Sequence, residues 1–200
     1  MVMKQIRILL AAIFTLALAL PASAGKVSLN QISSYLNSLT SASSDFTQVN
    51  SDGSISTGKL FIKRPGRARF QYNNDKTLVL ASANRVAVFD PKSNQPPEQY
   101  PLVKTPLNLI LGRNIDLNRN GMVVGYTTDG PKTIVTAQDP QHPEYGNIQL
   151  VFTDGPVELR QWVITNQSGE KTTTILNNLQ KGGNFATSMF SIDQALAQRR

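Results

Sequence analysis

Residue types that catalyse reactions or bind metals are rare in this sequence. The chain has no cysteine and one histidine, His142, which stands between two prolines in residues 139–143. A zinc site would need three carboxylates or waters beside this histidine, and no G-x-S-x-G nucleophile motif accompanies any serine. The sequence therefore predicts no metal site, no cofactor and no catalytic triad, and it favours an ordinary loop position for His142.

The acidic residues are the remaining candidates for catalysis, because glycoside cleavage needs only two carboxylates. Of the thirteen acids, Asp52, Asp129, Asp139 and Asp154 stand directly before a glycine or a proline. Aspartate is favoured in such turns because its side chain accepts hydrogen bonds from nearby backbone N–H groups. A carboxylate hydrolase stays open as an alternative, but the preferred interpretation is a protein that is not an enzyme.

Residues 58–72, which read GKLFIKRPGRARFQY, hold the most distinctive group of charged side chains. Five basic residues fall within eleven positions without an acid, namely Lys59, Lys63, Arg64, Arg67 and Arg69. The alternation of residue types predicts two strands joined by a tight turn at Arg64, Pro65 and Gly66. From these residues alone, a solvated strand face and a binding surface are both possible interpretations.

Two short helices with one apolar face each are predicted. Ser28 is placed to cap the first, whose apolar positions are spaced by three and four residues: Leu29, Ile32, Leu36 and Leu39. In the second, Thr105 is the expected cap, Pro106 suits the first helical position, and Gly112 ends it. Its apolar face consists of Leu107, Ile110 and Leu111.

From about residue 42 the apolar pattern changes to a period of two, which is typical of strands with one buried face. Strands are predicted at 67–73, 77–81, 85–90, 122–128, 133–138, 147–153, 157–165 and 171–179, separated by glycine and proline turns. Many short strands with hairpin turns favour one antiparallel sheet, curled or closed. Residues 195–200 are expected to be a frayed tail.

The N-terminus predicts export from the cytoplasm. Lys4 and Arg7 precede thirteen uncharged residues, 8–20, and Ala22, Ser23 and Ala24 suit a signal peptidase. This run is shorter than the about 20 residues that span a bilayer. We therefore expect a cleaved signal peptide at 1–24 and one periplasmic domain at 25–200.

The charge and the missing cysteine narrow the possible partners. Without Lys4 and Arg7 the formal net charge falls from +7 to +5, which favours anionic membrane surfaces or acidic partners. Nucleic acid is not expected, since the sequence contains no recognised binding motif. The signal sequence lacks the cysteine that a lipid anchor would need.

Several motifs occur together in one order along the chain. The first motif is F-x-Q, formed by Phe46 and Gln48, and the second is G-x-L-x-I-x-R-P-G at 58–66. They are followed by an aromatic strand with Phe70 and Tyr72 and by the motif T-P-L-x-x-I-L, which begins at Thr105. A hairpin of the form G-x-x-T-x-x-x-L-x-N covers 169–178, and M-F-x-I, the pattern of a closing strand, covers 189–192. In this set and order the chain resembles the periplasmic outer-membrane lipoprotein carrier family, LolA.

The resemblance implies a mainly β fold with short helices: a strongly curved, incompletely closed antiparallel half-barrel with an α-helical lid. In the family pattern Arg64 hydrogen-bonds carbonyls of the lid and holds the empty protein closed, and Lys63, Pro65 and Gly66 complete its turn. Nine apolar residues are expected to line an acyl-chain cavity, although ordinary core packing would bury the same side chains: Leu60, Ile62, Phe70, Tyr72, Leu78, Leu80, Leu107, Ile110 and Leu111.

The function that the resemblance implies is a monomeric periplasmic carrier of lipoprotein acyl chains. Its partners would be outer-membrane lipoproteins, an inner-membrane ABC transporter of the LolCDE type and an acceptor of the LolB type. A lipid- or lipoprotein-sensing regulatory module of the same fold is the alternative, although such regulators usually have a further C-terminal domain. Two departures from the family pattern are Ala68, often a bulky residue, and residues 193–200, which replace a P-x-G-x-D-V segment.

Overall fold

The computed structural model describes residues 25–198. The predicted signal peptide and the last two residues lie outside this range. Within it, no helix has both the length and the apolar character that a membrane crossing requires.

Eleven strands and three helices make up the described chain. The strands are β1 (Ser41–Val49), β2 (Ile55–Lys63), β3 (Arg67–Tyr72), β4 (Leu78–Ser82), β5 (Arg85–Phe89), β6 (Glu98–Pro101), β7 (Val123–Asp129), β8 (Lys132–Gln138), β9 (Asn147–Asp154), β10 (Val157–Thr165) and β11 (Lys171–Lys181). The helices are α1 (Leu29–Ser38), α2 (Asn108–Leu111) and α3 (Ile192–Ala197), with 3₁₀ turns at Leu102–Lys104, Pro143–Tyr145 and Thr187–Phe190.

All strands belong to one open, curved antiparallel sheet, as the sequence predicted. Its order is β6-β5-β4-β3-β2-β1-β11-β10-β9-β8-β7. The edge strands β6 and β7 are joined by residues 102–122, which include α2. β6 was not predicted, because its residues EQYP are all exposed and carry no apolar alternation.

One face of the sheet, here called the lid face, is covered by α1 and residues 102–122. The main core lies between them and includes Ile32 and Leu36 of α1, Leu111 of α2, and Phe46 and Trp162 of the sheet. Gly58 allows the aromatic packing at its centre, because a Cβ there would collide with the Gln71 carbonyl and lie 2.8 Å from the Phe46 ring. The fold thus buries its largest side chains under the lid.

The opposite face, here called the tail face, is covered by residues 185–197. Leu80, Ala87 and Phe89 form a second core there with Ile192 and Ala195 of α3. The expectation of a frayed tail from residue 195 is therefore wrong: α3 extends to Ala197 and is capped by the Ser191 side chain. The closing strand expected at 189–192 is also wrong, since a 3₁₀ turn and the start of α3 occupy this segment.

Candidate functional site

Helix α1 begins where the sequence predicted and forms one half of the lid. The Ser28 hydroxyl accepts a hydrogen bond from the Gln31 N–H, while the Gln31 side chain accepts one from the Ser28 N–H. This reciprocal capping box satisfies two backbone donors that the first turn leaves free. The apolar residues of α1 then face the sheet, where Ile32 and Leu36 are fully buried.

The second half of the lid is α2, which is shorter than predicted. The Thr105 hydroxyl does not cap it but donates to the Leu102 carbonyl at 2.8 Å, and α2 has no side-chain cap. Its apolar face is nevertheless as expected, because Leu107, Ile110 and Leu111 all lie in the main core. A helix of four residues has little stability of its own, so packing on the sheet must hold it.

Arg64 connects the two lid helices to the sheet. It follows β2, and its guanidinium donates to the carbonyl of Leu36 in α1. It also donates to the carbonyl of Gly112, the residue that ends α2, at 2.6 Å from Nη2 and 3.0 Å from Nε. Nη2 also reaches the Asn37 side-chain oxygen at 3.2 Å and the Arg113 carbonyl at 3.3 Å. Carbonyls at helix ends lack intrahelical donors and carry partial negative charge, so a cation is favoured there.

The environment of Arg64 is half-buried and apolar on one side. Burial lowers the pKa of the Arg64 guanidinium from its ordinary value, yet an arginine remains protonated in proteins at neutral pH. The turn after it is bonded to the lid as well, since the Gly66 N–H donates to the Leu111 carbonyl at 2.8 Å. Gly66 has a φ of +70°, a conformation that glycine adopts without strain.

Lys63 and Arg64 are neighbours in sequence but act on opposite faces of the sheet. The Lys63 ammonium donates to the Phe185 carbonyl at 2.6 Å and lies 3.3 Å from the Thr187 hydroxyl. On the same tail face, Arg69 donates to the Met189 carbonyl at 2.7 Å. Three of the basic residues in 58–72 therefore bond backbone carbonyls of the segments that cover the sheet.

The nine expected lining residues divide between the two faces. Seven lie on the lid face, with Tyr72 partly buried: Leu60, Ile62, Phe70, Tyr72, Leu107, Ile110 and Leu111. Leu78 and Leu80 instead pack in the second core beneath α3. The pairing register explains the difference, because Phe70 is opposite Val79 whereas Arg69 is opposite Leu80, so that Val79 and Ala81 are the lid-face residues of β4.

The cavity beside Arg64 on the lid face is small. A cavity of about 10 Å³ lies beside Arg64, and it is lined by Leu36, Leu39, Ile62, Arg64, Ile110, Leu159, Trp162, Leu176 and Leu179. That volume is close to the minimum that one water molecule needs. Leu159, Trp162, Leu176 and Leu179 were not singled out from the sequence. Strict alternation would place Leu159 and Trp162, and likewise Leu176 and Leu179, on opposite faces, but an irregularity in β10 and one in β11 bring each pair to the same face.

Ionisable groups elsewhere form no reactive cluster in the part of the chain described. No three His, Cys, Asp or Glu side chains in residues 25–198 lie close enough to bind a metal ion. His142 is exposed, contacts Glu144 at 2.9 Å and stacks on Tyr145 at 4.7 Å between ring centroids. A surface groove of about 580 Å³ is formed by polar and proline residues of 91–97 with Leu196 of α3, away from Arg64 and the lid.

Comparison with known proteins identifies the family. The family described as "Outer membrane lipoprotein carrier protein LolA" matches residues 37–193. The chain belongs to the LolA family. This match covers Arg64, α2, all eleven strands and the last two residues of α1, so the LolA resemblance drawn from the motifs is confirmed.

Relatives within the LolA family are distant but match over most of their length. A protein named outer-membrane lipoprotein carrier protein from Chromohalobacter salexigens is 24% identical over 90% of this chain and 89% of its own. One of the same name from Cupriavidus taiwanensis is 26% identical over 92% of each chain. A solved LolA superfamily protein from Nitrosomonas europaea has a TM-score of 0.43 at 10% identity, covering 84% of this chain and 99% of that one.

Proposed function

We propose that this protein is a non-enzymatic periplasmic carrier that binds lipoprotein acyl chains between its sheet and its lid. The observation that carries the proposal is an apolar sheet face closed by two helices and joined to both by one arginine, Arg64. Membership of the LolA family and the names of the relatives support the same function.

The energetics of the cargo make such a face necessary. Exposing an acyl chain to water costs about 0.8 kcal/mol per CH₂, or roughly 12 kcal/mol for sixteen carbons. A carrier must replace the membrane with an apolar surface of its own. The lid face offers one, since buried aliphatic and aromatic side chains cover it from β5 to β8.

The lid must move before cargo can bind. Pockets for small ligands measure about 300–1,000 Å³, whereas the cavity beside Arg64 is about 10 Å³. The small cavity therefore matches the closed state of the proposed cycle. Cargo binding would exchange the contacts of Ile110 and Leu111 with the sheet for contacts with acyl chains, and the bonds of Arg64 would favour closure after delivery.

The remaining parts of the proposal concern location and partners. We infer that residues 1–24 direct export and that residues 25–200 act as a monomer in the periplasm. An ABC transporter of the LolCDE type would load the carrier, and an acceptor of the LolB type would receive the cargo. The net charge of +5 after removal of Lys4 and Arg7 would favour the approach to anionic membranes.

A release assay tests the proposal. Purified residues 25–200 are added to spheroplasts that synthesise a labelled outer-membrane lipoprotein, and the supernatant is analysed for a soluble complex. Labelled lipoprotein bound to the protein is the expected result. If the label stays on the membrane although the protein is folded and the transporter active, the carrier function is wrong and the sensing module becomes the better account.

A matched pair of variants on β2 links the result to the lid face. Ile62→Asp places a charge beside the cavity, where the side chain is 7% exposed, while Ile55→Asp places it where the side chain is 62% exposed. We expect release to fail with Ile62→Asp and to continue with Ile55→Asp, provided that both unfold cooperatively. Equal release by two folded variants would mean that cargo binds elsewhere.

A further inference from the structure

Helix α1 carries a polar stripe beside its apolar face. Asn30, Ser33 and Asn37 are spaced by three and four residues, so they lie along one side of the helix. All three bond the segment that follows α2. The Leu117 N–H donates to the Ser33 hydroxyl at 3.0 Å, and the Asn118 amide donates to the Asn30 side-chain oxygen at 2.7 Å.

Asn37 makes the most complete of these contacts. Its side-chain N–H₂ donates to the Ile115 carbonyl at 2.8 Å, and its side-chain oxygen accepts from the Ile115 N–H at 2.9 Å. The two bonds fix which end of the amide is the oxygen, since each partner on Ile115 has a single role. Ile115 itself is 5% exposed, whereas Asn37 is exposed, so its amide lies over a buried residue at the protein surface.

The oxygen fixed in this way is also an acceptor for Arg64. The Arg64 Nη2 lies 3.2 Å from the Asn37 side-chain oxygen. The same nitrogen donates to the Gly112 carbonyl, while Nη1 donates to the Leu36 carbonyl. A guanidinium is a planar fork with donors in fixed directions. An acceptor held at one side of that fork therefore restricts the rotation of the whole group and keeps its other donors aimed at the two lid helices.

We propose that Asn37 is a positioning residue for Arg64: it joins α1 to residues 115–118 and orients the guanidinium that holds the lid closed. This proposal rests on the proposed function. Its physical consequence is that Asn37 favours the closed state in two ways, through its own bonds to Ile115 and through the bonds of Arg64. Asn30, at the other end of the polar stripe, contributes only in the first way.

Affinity for an acyl chain reports the closed state, because an apparent Kd rises as the open, binding-competent fraction falls. The probe is a fluorescent dipalmitoyl lipopeptide, titrated into wild type, Asn37→Ala, Arg64→Leu and the double variant. We expect Asn37→Ala to lower the apparent Kd roughly fivefold to tenfold, because the closed state loses the net stabilisation of one or two hydrogen bonds. In the Arg64→Leu background the same substitution should have clearly less effect, because the group that it positions is gone.

Asn30→Ala is the matched control. It breaks the bond to Asn118 without touching Arg64, so its effect should be the same with and without Arg64→Leu. If Asn37→Ala is equally independent of Arg64, Asn37 is only a brace between two segments and the proposal is wrong. The same cycle with Arg64→Lys, which opens the lid less, gives a second test: dependence of Asn37→Ala but not of Asn30→Ala on residue 64 supports the proposal, and equal dependence of both overturns it.

A measurement without ligand separates this proposal from the proposed function. The Arg64 Nε–H donates to the Gly112 carbonyl at 3.0 Å, so its NMR signal should be protected from solvent exchange in wild type and in Asn30→Ala. We expect exchange to accelerate in Asn37→Ala. An unchanged exchange rate would overturn the positioning role, whereas a lack of lipopeptide binding by every variant would overturn the carrier function alone.

Discussion

The substitution Arg64→Leu tests most directly how the lid is held. Leucine keeps much of the apolar stem but removes every donor to the Leu36 and Gly112 carbonyls. Charge-assisted bonds contribute about 1.5–3 kcal/mol each, and the lower value applies because the guanidinium is only half-buried. Counted as one bond to each of the two carbonyls, this loss would destabilise the closed state by about 3 kcal/mol, which corresponds to about a hundredfold change in the opening equilibrium.

The direction of the functional effect follows from which state binds cargo. Since the open state binds acyl chains, Arg64→Leu should lower the apparent Kd by up to that factor. Delivery should become slower, because reclosing of the lid no longer competes with bound cargo. Arg64→Lys should be intermediate, since an ammonium keeps the charge but cannot contact both carbonyls with one planar fork.

The assay compares lipopeptide affinity with the rate of transfer to acceptor vesicles. Arg67→Leu is the control, because it removes an equal charge from the next strand, opposite Lys63 on the tail face. We expect Arg67→Leu to behave like wild type in both measurements. Wild-type affinity and wild-type transfer by a folded Arg64→Leu variant would refute the reasoning, since the bonds of Arg64 would then not control the lid.

Three further predictions concern the two cores and the partly buried hydroxyl of Tyr72. Leu80→Ala should lower the free energy of unfolding by about 2–5 kcal/mol but leave lipopeptide affinity unchanged, because Leu80 lies beneath α3. Denaturant titration and lipopeptide titration check the two parts, and weaker lipopeptide binding would contradict the prediction. Gly58→Ala should lower the melting temperature measured by circular dichroism, since the added Cβ meets Gln71 and Phe46; an unchanged temperature would argue against this packing. Burial raises the pKa of Tyr72 from 10.0 to about 12, and the weaker effect of its bond to Gln48 opposes this shift. The stability that the protonated Tyr72 hydroxyl contributes is therefore complete below pH 10 and is lost as the pH rises towards 12. Tyr72→Phe should lose less stability than wild type across that range in denaturant titrations at each pH.

Local patterns explain why much of the fold was predictable. Alternation of apolar and polar residues marks the strands in any context, and the Ser28 capping box is complete within four residues. Both signals depend only on neighbours in sequence. The short helix α3 gave no comparable signal, because six residues cannot form a stable helix alone and Ile192–Ala197 is held by Leu80 and Phe89.

The face assignment in β4 shows where sequence reasoning stops. Leu78 and Leu80, which alternate along that strand with Val79 between them, were expected to line the cavity. Their face is decided by pairing with β3, where Arg69 opposite Leu80 and Phe70 opposite Val79 set the register. A shift of one residue in register exchanges the faces, so composition alone could not identify Val79 and Ala81.

The sequence by itself determined the strand pattern, the position of Arg64 in its turn and, through the ordered motifs, the family. The resemblance implied that Arg64 bonds carbonyls of the lid, but only the tertiary structure shows that these belong to Leu36 and Gly112, which are 28 and 48 residues away along the chain. The same holds for Asn37, whose partner Ile115 is 78 residues away. Hydrogen bonds to backbone carbonyls leave no trace in residue types, since every residue has a carbonyl group, and only the folded chain selects which of them the guanidinium reaches.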